Sequence, residues 1–190
     1  MAVLTPRFLV RAAAAVVATV LTLAPVRAQQ SQAGEHALKA AFLYNFTKFI
    51  DWPDSAFTGS TAPFQVCVLA DEAFRRAVEN ILQGEEKRGH RFAVSVPQST
   101  DNVRTCHLMY FGVEEGERWA ARLPALRQTP VLTVGEGPRF LDRGGLIAFL
   151  LVGDRVRFDI RKQGAEQAGL NVSAKLLRVA RQVVQGPPAP

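Results

Sequence analysis

Catalysis needs a nucleophile with its base, two converging carboxylates, or a metal cage, and few side chains in this sequence could supply any of them. His36, His90 and His107 are scattered without H-x3-H spacing, and Cys67 and Cys106 lie far apart with no C-x2-C partner, so no metal site is expected. No G-x-S-x-G elbow, H-E-x-x-H helix or Walker loop occurs. The nearest thing to a phosphate cradle is "GEGP" at 135–138, where Pro138 has no N–H to donate, so it reads as a turn that ends a strand. Glu114, Glu115 and Glu117 open a helical stretch, where acids complement the helix dipole. The expectation is a non-enzyme without metal or cofactor, and the two cysteines are the main candidates for chemistry.

What the cysteines do depends on the compartment. Residues 1–28 begin with Arg7 and Arg11, continue with an uncharged, Ala-rich run from Ala12 to Val26, and end in Val26-Arg27-Ala28. That is the layout of a secretory signal peptide cleaved after Ala28. A membrane anchor is the alternative, but the run is shorter than the ~20 apolar residues a spanning helix needs. Export removes three arginines and no acid, so the net charge falls from +6 to about +3. No dense Lys/Arg block with interleaved aromatics remains, so nucleic acid is not an expected partner. In an oxidising compartment two cysteines favour one disulfide, with two separately buried thiols as the alternative.

The elements that must carry these residues follow from periodicity. A tail at 29–34 is expected to precede a helix from about Glu35 to Asp51, stopped by Pro53. "FQVCVLA", "RFAVSVP", "HLMYFGV", "PVLTVGE", "LIAFLLV" and "RVRFDIR" read as strands, the last two joined at Gly153-Asp154 as a hairpin. Helices are expected near Glu72–Leu82, in "EEGERWAARLPAL" and from about Ala174 to Val184, with a helical turn at "PRFLDR" and Ser173 as an N-cap. The continuous apolar strands "LMYFGV" and "LIAFLLV" should be central, and "RVRFDIR" should be wet on one face. The fold class is α/β: a single domain over 35–184, with a mixed, largely parallel β-sheet and helices on both faces. A disordered tail is expected at 185–190.

The stretches "KAAFLYNFTKFIDWP", "VCVLADEAF", "CHLMYFGVEE", "PVLTVGEGPRFLDRGGLIAFL", "VRFDI" and "AGLNVSAKLLRVARQV", in that order from about His36 to Val184, resemble the YfiR family. The resemblance implies a periplasmic α/β regulator without catalysis. Such a regulator represses an inner-membrane diguanylate cyclase or sensor protein, is sequestered by an outer-membrane lipoprotein, and has its function linked to disulfide state and homodimerisation. It also implies that Cys67 and Cys106 are a disulfide pair. A second cysteine pair found in the member that names the family is missing, and Arg161 stands where members often carry Asn after the "RF-x-I" strand. Within the first helix, Leu38, Ala41, Phe42, Asn45, Phe46 and Phe49 form one stripe, while Leu43, Tyr44 and Ile50 widen it around the cylinder. The helix is expected to pack between the sheet and the terminal helix with the Asn45 amide on backbone groups. Leu43, Tyr44 and Ile50 are the candidate surface for a partner or second subunit.

Overall fold

The computed structural model describes residues 24–97, 103–119 and 123–186. Most of the expected signal peptide and residues 187–190 of the expected tail lie outside them. The elements in chain order are α1 (Ala24–Phe49), β1 (Ile50–Asp51), β2 (Phe64–Leu69), α2 (Glu72–Leu82), β3 (Glu86–Lys87), β4 (His90–Ser95), β5 (Leu108–Phe111), α3 (Val113–Trp119), β6 (Leu132–Glu136) and α4 (Pro138–Asp142). After them come β7 (Ile147–Val152), β8 (Arg155–Arg161), α5 (Lys162–Gln167), β9 (Asn171–Val172), α6 (Ala174–Val179) and β10 (Gln182–Val184). The main sheet has eight strands in the order β10-β8-β7-β6-β5-β2-β4-β3, and β1 pairs with β9 in a separate two-stranded ribbon. β2, β4, β5, β6 and β7 run parallel, β10 is parallel to β8, and the β7–β8 hairpin and the β3–β4 pair are antiparallel. This is the mixed, largely parallel sheet expected from the sequence.

The sheet divides two hydrophobic cores. On one face α1, α2, α5 and α6 cover Phe64, Val66, Leu108, Tyr110, Val134 and Phe149 with their neighbours. On the other, a smaller cluster of Met109, Phe111, Leu123, Phe140 and Ala148 encloses both cysteines. Phe140 reaches the sheet because Gly135 and Gly145 leave it room: a Cβ on Gly135 would fall 2.4 Å from its ring, and one on Gly145 would fall 2.2 Å from it. That close approach accounts for Gly145, the second of the paired glycines after "FLDR".

Several details differ from the sequence reading. α1 starts at Ala24, so the stretch 29–34 expected as a tail is helical. Its buried line is Ala40, Leu43, Phe46, Thr47 and Ile50, with Asn45 on the exposed side. With apolar residues nearly all round the cylinder, periodicity left the phase of the stripe open, and the sheet selected a face rotated by about one residue from the one expected. Asn45 therefore needs no buried partner. Leu43 and Ile50, proposed as partner surface, are 1% and 0% exposed in the core. Tyr44 is half-buried and already engaged, donating to Glu85 and carrying the Lys48 ammonium 3.9 Å above its ring.

The terminal helix, expected to run to about Val184, stops at Val179, which is 67% exposed, and the chain continues as β10. The switch is held by Arg181, whose Nε donates to Asp159 at 2.8 Å while its N–H donates to the Phe158 carbonyl at 2.8 Å. β10 covers the outer edge of β8, so Asp159 and Arg161 are buried where alternation alone had put them in water. Conversely β7 is buried only over its first half, with Leu151 and Val152 exposed at the hairpin tip.

The "DWP" stretch closes the sheet at the N-terminal ends of its parallel strands. The Trp52 indole donates to the His107 carbonyl at 2.9 Å and packs edge-on against Phe64. Phe57 stacks between His90 and His107, at 4.3 and 4.7 Å. Burial lowers the pKa of His107, and a nearby His90 charge would lower it further, against the opposing pull of its hydrogen bond to the Ala56 carbonyl. Its neutral ring accepts from Gln65 N–H through Nδ1 and bonds Ala56 through Nε2, so both nitrogens are structural. Two of the three histidines are thus parts of this aromatic plug.

Candidate functional site

In a parallel sheet, helices that leave neighbouring strands toward opposite faces open a crevice at the strands' carboxyl ends. That point lies here between β2 and β5. The chain leaves β2 for β4 through α2, which packs on the larger core, and leaves β5 for β6 through α3, whose Trp119 packs near Phe111 on the smaller one. The two strand ends stay close because Gly112 N–H donates to the Leu69 carbonyl at 2.7 Å. A Cβ at Gly112 would sit 3.3 Å from that carbonyl oxygen, tighter than an ordinary contact. A cleft of about 570 Å³ opens there.

α1 supplies one wall of the cleft with Glu35, His36 and Lys39, and the β2–α2 turn supplies Asp71 and Phe74. Tyr110 and Glu136 rise from the ends of β5 and β6. Lys39 Nζ lies 2.6 Å from Glu35 and 2.9 Å from Glu136, and Glu136 also accepts from the Tyr110 hydroxyl at 2.5 Å. His36 stands 3.8 Å from Asp71 and edge-on to Phe74. Asp71 in turn accepts from Phe74 N–H at 2.8 Å, capping α2. With Glu114 and Glu115 on the remaining rim, carboxylates outnumber cations around the opening.

The electrostatics of this cluster are fixed rather than poised. Burial by itself would lower the Lys39 pKa, but hydrogen bonds and charge from Glu35 and Glu136 outweigh it and hold the ammonium above its ordinary value. Burial, reinforced by the Glu136 charge, pushes the Tyr110 hydroxyl far upward. Neither group is set to exchange a proton near neutral pH. Both groups hold their protons more tightly folded than unfolded. Their contribution to stability is therefore complete below about pH 10 and lost as the pH rises through the alkaline range. Urea denaturation between pH 8 and 11 should show stability falling in the wild type and falling less steeply in Tyr110→Phe. An unchanged slope in that variant would mean that Tyr110 carries no such linkage.

The disulfide lies on the opposite face of the sheet. Cys67 in β2 and Cys106 just before β5 are bonded with Cα atoms 5.9 Å apart, both buried among Val103, Met109 and Phe111. It does not line the cleft, and it ties the loop before β5 back to the strand beside it. The other candidate residues are not brought together with the cleft: Leu43 and Ile50 lie in the core and Tyr44 lies near Glu85. Sequence reasoning missed Lys39, Tyr110 and Glu136 altogether. The available signal was positional, since Asp71, Gly112 and Glu136 each sit at or just beyond the end of an apolar strand, where an open α/β sheet gathers its ligands.

No group of histidine, cysteine or acidic side chains suited to a metal occurs among the described residues. No helix among them is long and apolar enough to cross a membrane. No curated protein matches the sequence. Among solved structures, a conserved domain protein from Vibrio cholerae O1 biovar El Tor is 12% identical, with a TM-score of 0.41 over 64% of this chain and 55% of that one. The chain thus spans little more than half the length of that protein. The YfiR/HmsC-like family model matches residues 36–181, which takes in α1 from His36, every strand through β9, α6 and the aromatic plug. The chain belongs to the YfiR/HmsC-like family.

Proposed function

We propose that the protein is exported, loses residues 1–28 by cleavage after Ala28, and acts in the periplasm as a non-catalytic repressor of an inner-membrane diguanylate cyclase. The observation that carries this reading is the family match across 36–181. An outer-membrane lipoprotein that sequesters the repressor, and a homodimer as its working form, belong to the same reading. The cleft between β2 and β5 is the proposed contact, because it is open, rimmed by carboxylates and removed from the buried disulfide. A basic segment of a sensor domain fits its charge.

The test is intracellular cyclic di-GMP in the native host. Deletion should raise it, and the wild-type gene should restore it. A Glu114→Lys variant on the exposed rim, at normal protein level, should restore it incompletely. No change on deletion under several growth conditions would sink the cyclase reading. Favour would then pass to the second reading that the cleft supports, a small-ligand-binding module feeding a histidine kinase or transporter. Full restoration by Glu114→Lys would remove the cleft as the contact while leaving repression intact.

A further inference from the structure

Two arginines meet in the smaller core's flank, and among the described residues no carboxylate forms an ion pair with either. Arg161, the last residue of β8, is 3% exposed. Its Nη1 donates to the Gly186 carbonyl at 2.7 Å and its Nη2 to the Leu141 carbonyl at 2.8 Å, but its Nε has no acceptor among the described residues. The Nε of Arg127, buried beside it, has none either. Both line a small, partly open cavity of about 20 Å³ together with Gly144, Gly164, Gly186 and the exposed Gln167. Gly144 and Gly164 lie close against the two arginine side chains. A Cβ on Gly144 would sit 3.0 Å from Arg127 Nε, and one on Gly164 would sit 2.9 Å from Arg161 Cδ.

Hydrogen bonds to carbonyls satisfy donors but leave the charges standing. Guanidinium groups stay protonated at any physiological pH, so two positive charges share this site permanently. Burial disfavours the Arg161 charge, and Arg127 opposes it further. The Asp142 charge acts favourably on Arg161, yet its side chain is exposed and no ion pair joins it to either arginine among the described residues. A buried charge is kept only when something of opposite sign compensates it. A water molecule would accept from both Nε–H groups, but it brings no charge. The cavity has room for about one atom-sized occupant.

We propose that Arg127 and Arg161 hold a single monatomic anion, a halide such as chloride, donated to by the two orphaned Nε–H groups. The ion fastens three parts of the chain at once: the segment after the 3-10 turn at Leu123–Leu126, the end of β8, and the residues following β10. It thereby helps keep the edge strand β10 on the sheet. The site is independent of the cleft and of the proposed repression.

Two measurements on the purified protein test it. In crystals grown or soaked in sodium bromide, an anomalous peak should appear within hydrogen-bond reach of both Nε atoms. An ordered water or no density in that position overturns the proposal. In thermal denaturation at constant ionic strength, replacing gluconate by chloride should raise the midpoint. The rise should be about 3–5 °C for each tenfold of chloride above its dissociation constant. The rise should vanish in Arg127→Gln, a change at a half-buried position that leaves the Arg161 hydrogen bonds in place. Equal midpoints in the two salts for the wild type, or a rise that survives Arg127→Gln, refutes the site.

Discussion

Phe46→Ala is expected to destabilise the fold by about 3–5 kcal/mol, the usual range for emptying a large aromatic site in a packed core. Phe46 is 0% exposed, stacks on Phe149 at 5.8 Å and meets Phe158 edge-on at 5.0 Å, so it joins α1 to both strands of the β7–β8 hairpin. The neighbours belong to a sheet and a long helix, elements that cannot close together to fill the void. Urea denaturation followed by circular dichroism measures the loss, and Phe46→Leu should recover most of it. Leu43→Asp on the same buried line should be at least as damaging, because it leaves a carboxylate in the core without a partner. A Leu43→Asp protein that folded normally and failed only in partner binding would restore Leu43 to the surface and contradict this packing of α1.

The second large effect concerns the disulfide. Joining Cys67 to Cys106 closes a loop with a sequence separation of 39, worth about 4 kcal/mol in the chain-entropy model. The double variant Cys67→Ser/Cys106→Ser should melt about 10 °C lower in a domain of this size. Because both sulfurs are buried, reductant should act on the native protein only as fast as it opens. Thiol labelling after timed exposure to dithiothreitol, with and without urea, separates the two cases. Rapid reduction of the native protein would show the bond to be accessible and suited to redox control, whereas slow, urea-dependent reduction marks it as a structural staple. Cys67 and Cys106 are the sequence's two cysteines, so any cysteine redox response rests on this one bond.

Much of the fold follows from local pattern alone. Uninterrupted apolar runs bounded by turn residues locate β5 and the buried first half of β7, since a strand covered on both faces needs apolar side chains at every position. Gly153-Asp154 marks the hairpin, Ser173 the start of α6, and the two cysteines a pair, because turn geometry, capping and compartment act over a few residues or on composition. Three outcomes belong to the tertiary structure. The buried phase of α1 was chosen by the sheet it lies on, which took Ala40, Leu43 and Phe46 inward and left Asn45 in water. The last residues became β10 rather than helix because Arg181 found Asp159 and the edge of β8 was open to parallel pairing, contacts with no trace in helical periodicity. The cleft and the arginine pair were the least legible. Lys39, Tyr110 and Glu136 are single residues on separate elements that the packing of helix on sheet brings within hydrogen-bond reach, and Arg127 and Arg161, also far apart in sequence, line one cavity. Periodicity states which residues seek cover, and only the order of strands in space decides which of the others meet.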